Sequence, residues 1–150
     1  MTQEEKDLLL KDLCARLQYG VIIQVNDGIK GIYDRRLVQV FCDRLSCSVN
    51  VYNPLEECIC IDSVKPYLRP MSSMTKEEKE ELVDFGLAYW DNGKYTDENG
   101  NTIIYGGKKI QLIPDIETYD WLNKKMFDYR GLIPKGRAIA VTEDNNPYKD

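Results

Sequence analysis

The sequence predicts an α+β protein: a small, mostly antiparallel sheet with about three helices packed on it, the N-terminal helix coming first. Apolar residues recur at helical spacing in three separate segments, and the segments between them show strand-like runs bounded by turn residues. The length of 150 residues and a composition that is 43% hydrophobic and 30% charged are typical of one globular domain. We expect that single domain to span residues 1–141, with a polar, frayed tail at 142–150.

The first helix is predicted to begin after Thr2, because Glu5 follows three residues later in the spacing of a capping box. Gly20 supplies the stop signal for this helix. One side of the helix is apolar at helical spacing and is expected to pack on the rest of the fold. That side consists of Leu9, Leu10, Leu13, Cys14 and Leu17.

Strands are predicted in the segment that follows. VIIQV at 21–25 and IKGIY at 29–33 flank the pair Asp27-Gly28, which favours a hairpin whose tight turn uses a positive φ at Gly28. Apolar and β-branched residues between polar breaks predict three further strands. These strands are expected at 37–41, 48–52 and 58–62.

The segment 65–85, KPYLRPMSSMTKEEKEELVDF, is predicted to join the sheet to a second helix. Pro66 and Pro70 exclude a helix or a central strand through this point because each lacks a backbone N–H. Thr75 and Glu78 then repeat the capping-box spacing. The predicted apolar face of this helix consists of Leu82, Phe85, Gly86 and Tyr89. We expect the run KEEKEE to be solvated; an acidic docking patch is the alternative.

Turn residues punctuate the segment 91–113, where KYT, TIIY and KIQLI predict a hairpin and one further strand. A third helix is expected after Pro114-Asp115, with Gly131 just beyond its end. The apolar face of this helix is predicted to consist of Ile116, Tyr119, Leu122 and Met126. RAIAV at 137–141 is expected to close the sheet as a short strand.

Charge and residue types exclude several classes of function. A net charge of −5 and a pI near 4.9 argue against a broad, sequence-independent grip on nucleic acid phosphates. No window reaches the roughly 18 consecutive apolar residues of a membrane span, and no signal sequence follows Met1, so we expect a cytoplasmic location. The chain contains no histidine, which excludes Ser-His and Cys-His nucleophiles and mixed Cys/His zinc sites.

Five cysteines, an odd number in a chain without an export signal, are expected to be free thiols. Cys58 and Cys60 would share one face of a strand, with Cys42 and Cys47 nearby in sequence. A four-thiolate metal site is therefore an alternative to buried, inert cysteines, although the spacing matches structural zinc poorly. Neither a metal nor a cofactor is predicted.

A locally basic segment is the first candidate binding site. Arg35, Arg36 and Arg44, interleaved with Tyr33, would hold a nucleotide or another small anionic ligand by charge and stacking. The alternative is that these arginines are solvated or paired with carboxylates on an exposed sheet face. The run 106–109, Gly-Gly-Lys-Lys, lacks the spacing of a phosphate-binding loop and is expected to be a turn.

Exposed aromatic residues are the second candidate. Trp90 and Tyr95 lie in the turn-rich region, where large, rigid side chains would anchor a protein partner. The alternative for these residues is a place in the core. No spacing of Asp and Glu marks a general acid and base, since such pairs are defined in space and not in sequence.

Three blocks of the chain resemble a family of uncharacterised small proteins encoded in gut Bacteroidetes genomes, prophages and phages. The blocks are EEKDLLLKDLCARLQYGV at 4–21, DSVKPYLRPMSSMTKEEKEEL at 62–82 and YDWLNKKMFDYRGLIPKGRA at 119–138. The resemblance implies a phage or mobile-element accessory protein that acts in the bacterial cytoplasm, and it implies no activity and no functional residues. Related sequences carry histidines just before the FDYRGL string, where this chain has Lys125 and Met126.

The sequence is compatible with three functions. The first is a non-catalytic accessory protein that binds a host or defence-system protein through an acidic or aromatic surface. The second is a binder or sequestering protein for a nucleotide or other small anionic ligand, and the third is an enzyme of unrecognised type. Contiguous exposed aromatics favour the first, and a deep arginine-lined pocket favours the second. Neither a membrane nor nucleic acid is expected as a partner, and a homo-oligomer remains open.

Overall fold

The computed structural model describes residues 1–42, 47–51, 57–96 and 98–149. These residues confirm the α+β class, with the N-terminal helix first and a mostly antiparallel sheet. In chain order the elements are α1 (Gln3–Arg16), β1 (Ile22–Asp27), β2 (Gly31–Cys42), β3 (Cys47–Val51), β4 (Glu57–Cys60), β5 (Val64–Leu68), α2 (Lys76–Asp84), β6 (Ala88–Thr96), β7 (Thr102–Leu112), α3 (Ile116–Lys124) and β8 (Ile139–Ala140).

The chain forms two compact units. The first unit comprises Met1–Ser73 and Leu122–Asp150, and the second unit is Met74–Trp121. The first unit contains a six-stranded sheet in the order β4-β3-β2-β1-β5-β8, and the second contains the two-stranded sheet β6-β7. That residues 1–141 behave as a single domain stays a prediction.

Helix α1 begins with the predicted capping box. Thr2 Oγ1 accepts from the Glu5 backbone N–H at 3.2 Å, and the Thr2 N–H donates to the Glu5 carboxylate at 2.8 Å. After a 3-10 turn the backbone reverses at Gly20, whose φ of 75° is the left-handed conformation that glycine tolerates. The buried side of α1 differs from the predicted one: it consists of Leu9, Asp12, Leu13 and Arg16, whereas Cys14 is exposed.

Strand β2 is longer than the sequence pattern predicts. It runs through the polar residues Asp34, Arg35 and Arg36, where two separate strands are expected. Its first half pairs with β1 and its second half pairs with β3 on the other side, so a change of partner replaces the expected break. In the β1–β2 turn, the positive φ belongs to Gly31 and not to Gly28.

Strand β5 corrects a second prediction, because Pro66 lies in a strand flanked on both sides by others. The strand is antiparallel to β1 from Val64 to Pro66 and parallel to β8 from Tyr67 onward. The proline is tolerated where one partner ends and the other has not begun. The expected strand within 137–141 is present as β8.

The core of the first unit lies between α1, the sheet and the segment that follows α3. Side chains from the same face of β1, Ile23 and Val25, are completely buried there with Leu9 and Leu13 of α1. The other buried members of this core are Val21, Leu37, Ile61, Val64, Leu68, Met126, Leu132 and Ala138.

In the second unit, α2 begins with the predicted capping box of Thr75 and Glu78. The helix ends at Asp84, so only Leu82 of its predicted apolar face is buried in the helix. Strands β6 and β7 run through the Asn-Gly and Gly-Gly pairs at 92 and 106, and the chain turns at Gly100, whose φ is 81°.

A buried ion pair joins α1 to the end of α3. Arg16 and Asp12 are both 0% exposed, with Arg16 Nε 2.9 Å from Asp12 Oδ2, and Arg130 Nη1 binds the second carboxylate oxygen at 2.9 Å. Arg16 also donates to the carbonyl of Phe127 at 2.6 Å and to that of Asn123 at 3.5 Å. Both charges are therefore paired, and Arg16 binds backbone carbonyls at the negative end of α3.

The end of α3 needs this support because it lacks the glycine that usually stops a helix. Met126 takes the left-handed conformation instead, with φ 64°, and Phe127 N–H closes the turn onto the Leu122 carbonyl at 2.9 Å. A bulky residue is strained in this region. Gly131, the predicted stop, lies beyond the helix end and belongs to the next turn.

Replacing Arg16 with Met is expected to lower the free energy of unfolding by about 3–5 kcal/mol, because Asp12 would lose one of its two charge partners and two carbonyls their donor. Urea unfolding followed by circular dichroism measures this change. The control is Lys11→Met on the exposed side of α1, for which we expect less than about 0.5 kcal/mol. Equal stability of the two variants would show that the ion pair does not hold the unit together.

The C-terminal segment differs from the frayed tail that the sequence predicts. Asn145 accepts hydrogen bonds from Thr142 and donates to the Ala140 carbonyl, which folds the segment back. The Tyr148 hydroxyl accepts from Ile22 N–H at 3.1 Å and donates to the Tyr67 carbonyl at 2.8 Å. The β1–β5 register, continued by one residue pair, would place Ile22 opposite Tyr67. The Tyr148 hydroxyl therefore takes the place of a direct backbone hydrogen bond between these two strands.

Burial raises the pKa of Tyr148 to about 12. The folded protein therefore holds this proton more tightly than the unfolded chain does, where the value is 10.0. The contribution of the hydroxyl to stability is complete below pH 10 and is lost as the pH rises towards 12.

Replacing Tyr148 with Phe is expected to cost about 1–3 kcal/mol at neutral pH, because a strand N–H and a carbonyl lose their partner. The difference in unfolding free energy between the two proteins should shrink from pH 10 upward. Urea titrations of both proteins across this range provide the measurement. A difference that stays constant, or grows with pH, would contradict the bridging role.

Candidate functional site

The predicted arginine site does not come together in the described residues. Tyr33 and Arg35 lie on one face of β2, with the Arg35 guanidinium 4.6 Å from the centre of the Tyr33 ring and Nη1 bound to the Asp34 carbonyl. Arg36 points to the opposite face, since neighbouring strand residues alternate, and lies beside Gly20. Arg44 lies outside the described residues. One small anion on either face could not contact both Arg35 and Arg36.

Trp90 lines a cleft and is not a freely projecting anchor. This half-buried residue of β6 forms the cleft with Lys76, Lys79 and Glu80 of α2, and the cleft has a volume of about 520 Å³. Tyr95 also lies in β6, but its side chain is outside the described residues.

Leu87 is the residue on which the second unit is built. Its backbone N–H donates to the Leu82 carbonyl at 2.9 Å, which with the Gly86-to-Val83 bond closes the end of α2 as a Schellman motif. Its carbonyl accepts from Ile113 N–H at 2.9 Å and from Thr118 Oγ1 at 3.5 Å. The end of α2, the end of β7 and the start of α3 therefore meet at the backbone of one residue.

Large apolar side chains around this point remain exposed. Phe85 is 61% exposed and Ile116 is 76% exposed, although both were predicted to lie on buried helix faces. We call the exposed set the Leu87 surface; it consists of Phe85, Tyr89, Ile113, Ile116 and Tyr119, all of which belong to the second unit.

These side chains lie on, or directly beside, the elements that meet at Leu87. Ile113 pairs with Leu87 through its N–H, so Tyr89, two residues along from Leu87, is its diagonal neighbour on the same ribbon face. Ile116 and Tyr119 are one helical turn apart on α3, whereas Thr118, whose hydroxyl donates to Leu87, points to a different side of the helix from Ile116. Phe85 immediately precedes Gly86 in the turn that leads to Leu87.

The sequence carried a signal for part of this surface. Gly86 stands where a glycine ends a helix, and the residues after it no longer follow helical spacing. Tyr89 could therefore have been assigned to a strand. No local pattern indicates that Ile116 or Phe85 is exposed, because exposure depends on what the rest of the fold covers.

A polar cluster in the first unit does not have the properties of a catalytic base. Tyr67 donates to Asp34 at 2.8 Å and accepts from Gln24 at 3.3 Å. Burial, and then the hydrogen bond to the Asp34 carboxylate, raise the pKa of the Tyr67 hydroxyl. A tyrosine base at neutral pH would need the opposite shift.

The metal alternative gains no support from the described side chains. Cys14 and Cys60 are free and exposed. In the parts of the chain that the structure describes, no three His, Cys, Asp or Glu side chains group so that they could hold a metal ion. The side chains of Cys42, Cys47 and Cys58 lie outside these parts, although Cys42 and Cys47 are paired across β2 and β3.

No protein-family model, no curated protein and no protein of solved structure matches this chain. Among the described residues, no helix combines the length and the apolar character needed to cross a membrane.

Gly86 fixes the turn that presents Phe85 and Leu87, because its φ is 74°. Gly86→Ala is expected to destabilise the protein by about 1–2 kcal/mol through backbone strain, since a Cβ would meet nothing within 4 Å. Gly28→Ala is the matched control: its surroundings are equally open but its φ is not positive. Thermal unfolding compares the two, and an equal loss in both variants would show that the left-handed turn is not the cause.

Proposed function

We propose that this protein is a non-catalytic accessory protein of a phage or mobile element that docks on a host or defence-system protein through the Leu87 surface. The observation that carries the proposal is the exposure of large aromatic and aliphatic side chains on the elements that meet at the Leu87 backbone. Aromatic and large aliphatic groups that gather on a surface, and are not scattered singly, are typical of interaction sites.

The chemistry of the surface suits binding better than catalysis. Phe85, Tyr89 and Tyr119 offer large contact areas with few rotatable bonds, so ordering them on binding loses little conformational entropy. Phe85 lies at the end of α2, Tyr89 lies in β6 and Tyr119 lies in α3, so none of the three is on a long loop. Such a preorganised surface reduces the entropic penalty of association.

The biological context of the proposal rests on the resemblance of the three sequence blocks to phage and gut Bacteroidetes proteins. That resemblance supports action in the bacterial cytoplasm and a partner encoded by the host. It covers only one of the docking residues, Tyr119, since Ile113 and Ile116 lie between the blocks and Phe85 and Tyr89 follow the second one.

The cleft beside Trp90 supports a second candidate, the binding of a small anionic ligand. Its volume of about 520 Å³ lies within the range of roughly 300–1,000 Å³ that ligand pockets occupy. Lys79 supplies positive charge, Lys76 is paired with the Glu80 carboxylate of the same cleft at 3.9 Å, and the Trp90 indole supplies a stacking surface. In this second candidate the ligand would contact residues other than the arginines that suggested it.

Capture of partners by immobilised full-length protein tests the docking proposal. The Phe85→Ser/Ile116→Ser variant removes two exposed side chains of the Leu87 surface, and Ile29→Ser/Ile32→Ser removes two from the β1–β2 hairpin as a matched control. A host protein retained by the wild type and the control, and reduced more than about tenfold with the surface variant, is expected. Thermal unfolding of each bait checks that it is folded.

Mass spectrometry of the eluates separates the candidates. A protein captured equally by all three baits would contradict docking at the Leu87 surface. A small anionic molecule retained by all three without a protein would favour the Trp90 cleft instead.

A further inference from the structure

We infer that the partner presents a basic amphipathic segment to the Leu87 surface, with apolar side chains at its centre and Lys or Arg at its edges. This inference rests on the proposed function and adds the chemistry of the partner to it.

Negative charge is concentrated in the unit that carries the Leu87 surface. Residues Met74–Trp121 hold five lysines and eleven carboxylates, a net charge of −6, whereas the first unit has fifteen basic and fourteen acidic residues, a net charge of +1. The acidity of the whole chain, −5, therefore comes from the second unit. A uniformly acidic coat for solubility would not require this division.

Exposed carboxylates border the apolar side chains themselves. Asp84 directly precedes Phe85, and Asp91 follows Tyr89 on the same ribbon face. On α3 and just before it, three exposed carboxylates flank Ile116 and Tyr119 in sequence: Asp115, Glu117 and Asp120.

Only one of these border charges has a basic residue opposite it in the ribbon. Lys109 pairs with Asp91 across β6 and β7.

This combination selects one class of partner. An apolar centre with an acidic border is complementary to a segment whose long Lys or Arg side chains lay their methylene stems on the apolar area and reach the carboxylates with their charged ends. Arginine would in addition stack on the exposed tyrosine and phenylalanine rings. A negatively charged partner, such as nucleic acid, an anionic membrane or the same face of a second copy, would be repelled.

Selection from a displayed library of random dodecapeptides provides the probe. The full-length wild type is the target, and the Phe85→Ser/Ile116→Ser variant removes peptides that bind elsewhere. Peptides that survive this counter-selection are expected to combine Lys or Arg with large apolar residues.

The electrostatic part is measured on one selected peptide by fluorescence anisotropy. Asp120→Asn/Glu117→Gln removes two border carboxylates, and Glu143→Gln/Asp144→Asn removes two exposed carboxylates from the first unit as the matched control. We expect the border variant to bind about 3- to 10-fold more weakly and with a reduced dependence on sodium chloride concentration, while the control variant binds like the wild type.

Each other outcome has a distinct meaning. Neutral or acidic peptides that need Phe85 and Ile116, or unchanged binding by the border variant, would overturn the basic partner and leave docking at the surface intact. A library with no peptides that distinguish the wild type from the surface variant would overturn both. Self-association of the wild type that Phe85→Ser/Ile116→Ser abolishes would identify a second copy as the occupant and overturn the basic partner.

Discussion

The first unit depends on the buried pairing of Arg16 with Asp12. Two charges that are completely removed from water are tolerable only if each is neutralised and hydrogen-bonded, and here a second arginine and two backbone carbonyls complete the set. The pair fixes α1 against the turn that follows α3, at a point where Met126 holds a strained backbone conformation. Helix α1 therefore buries a mixed stripe of leucines and charges, which purely apolar patterning does not anticipate.

A second constraint is the staggering of the six-stranded sheet. Strands β2 and β5 each exchange one neighbour for another part-way along their length. The exchange allows a proline inside β5, and it leaves room for the Tyr148 hydroxyl to join β1 and β5 where their direct pairing stops. Because β2 is continuous through this point, the adjacent residues Arg35 and Arg36 face opposite ways and do not form a common site.

The second unit is organised around the backbone hydrogen bonds of one residue. The backbone N–H and C=O of Leu87 form hydrogen bonds with α2, the end of β7 and α3, so the backbone is fixed while large apolar side chains nearby remain in solvent. In the first unit, Asp128 accepts from Leu132 and Ile133 N–H, and Arg130 pairs with Asp12, so the segment that follows α3 helps to hold this unit together.

The sequence by itself determined the features that depend on neighbours in the chain: the α+β class, both capping boxes, the glycine stop at Gly20 and the last short strand. Each of these is set by hydrogen bonds or dihedral preferences within a few residues. Only the tertiary structure decided that Asp12 and Arg16 are buried, that Pro66 lies inside a sheet, and that Phe85 and Ile116 are exposed. These outcomes depend on groups distant in sequence, since burial and charge pairing are set by what the rest of the fold brings alongside a residue.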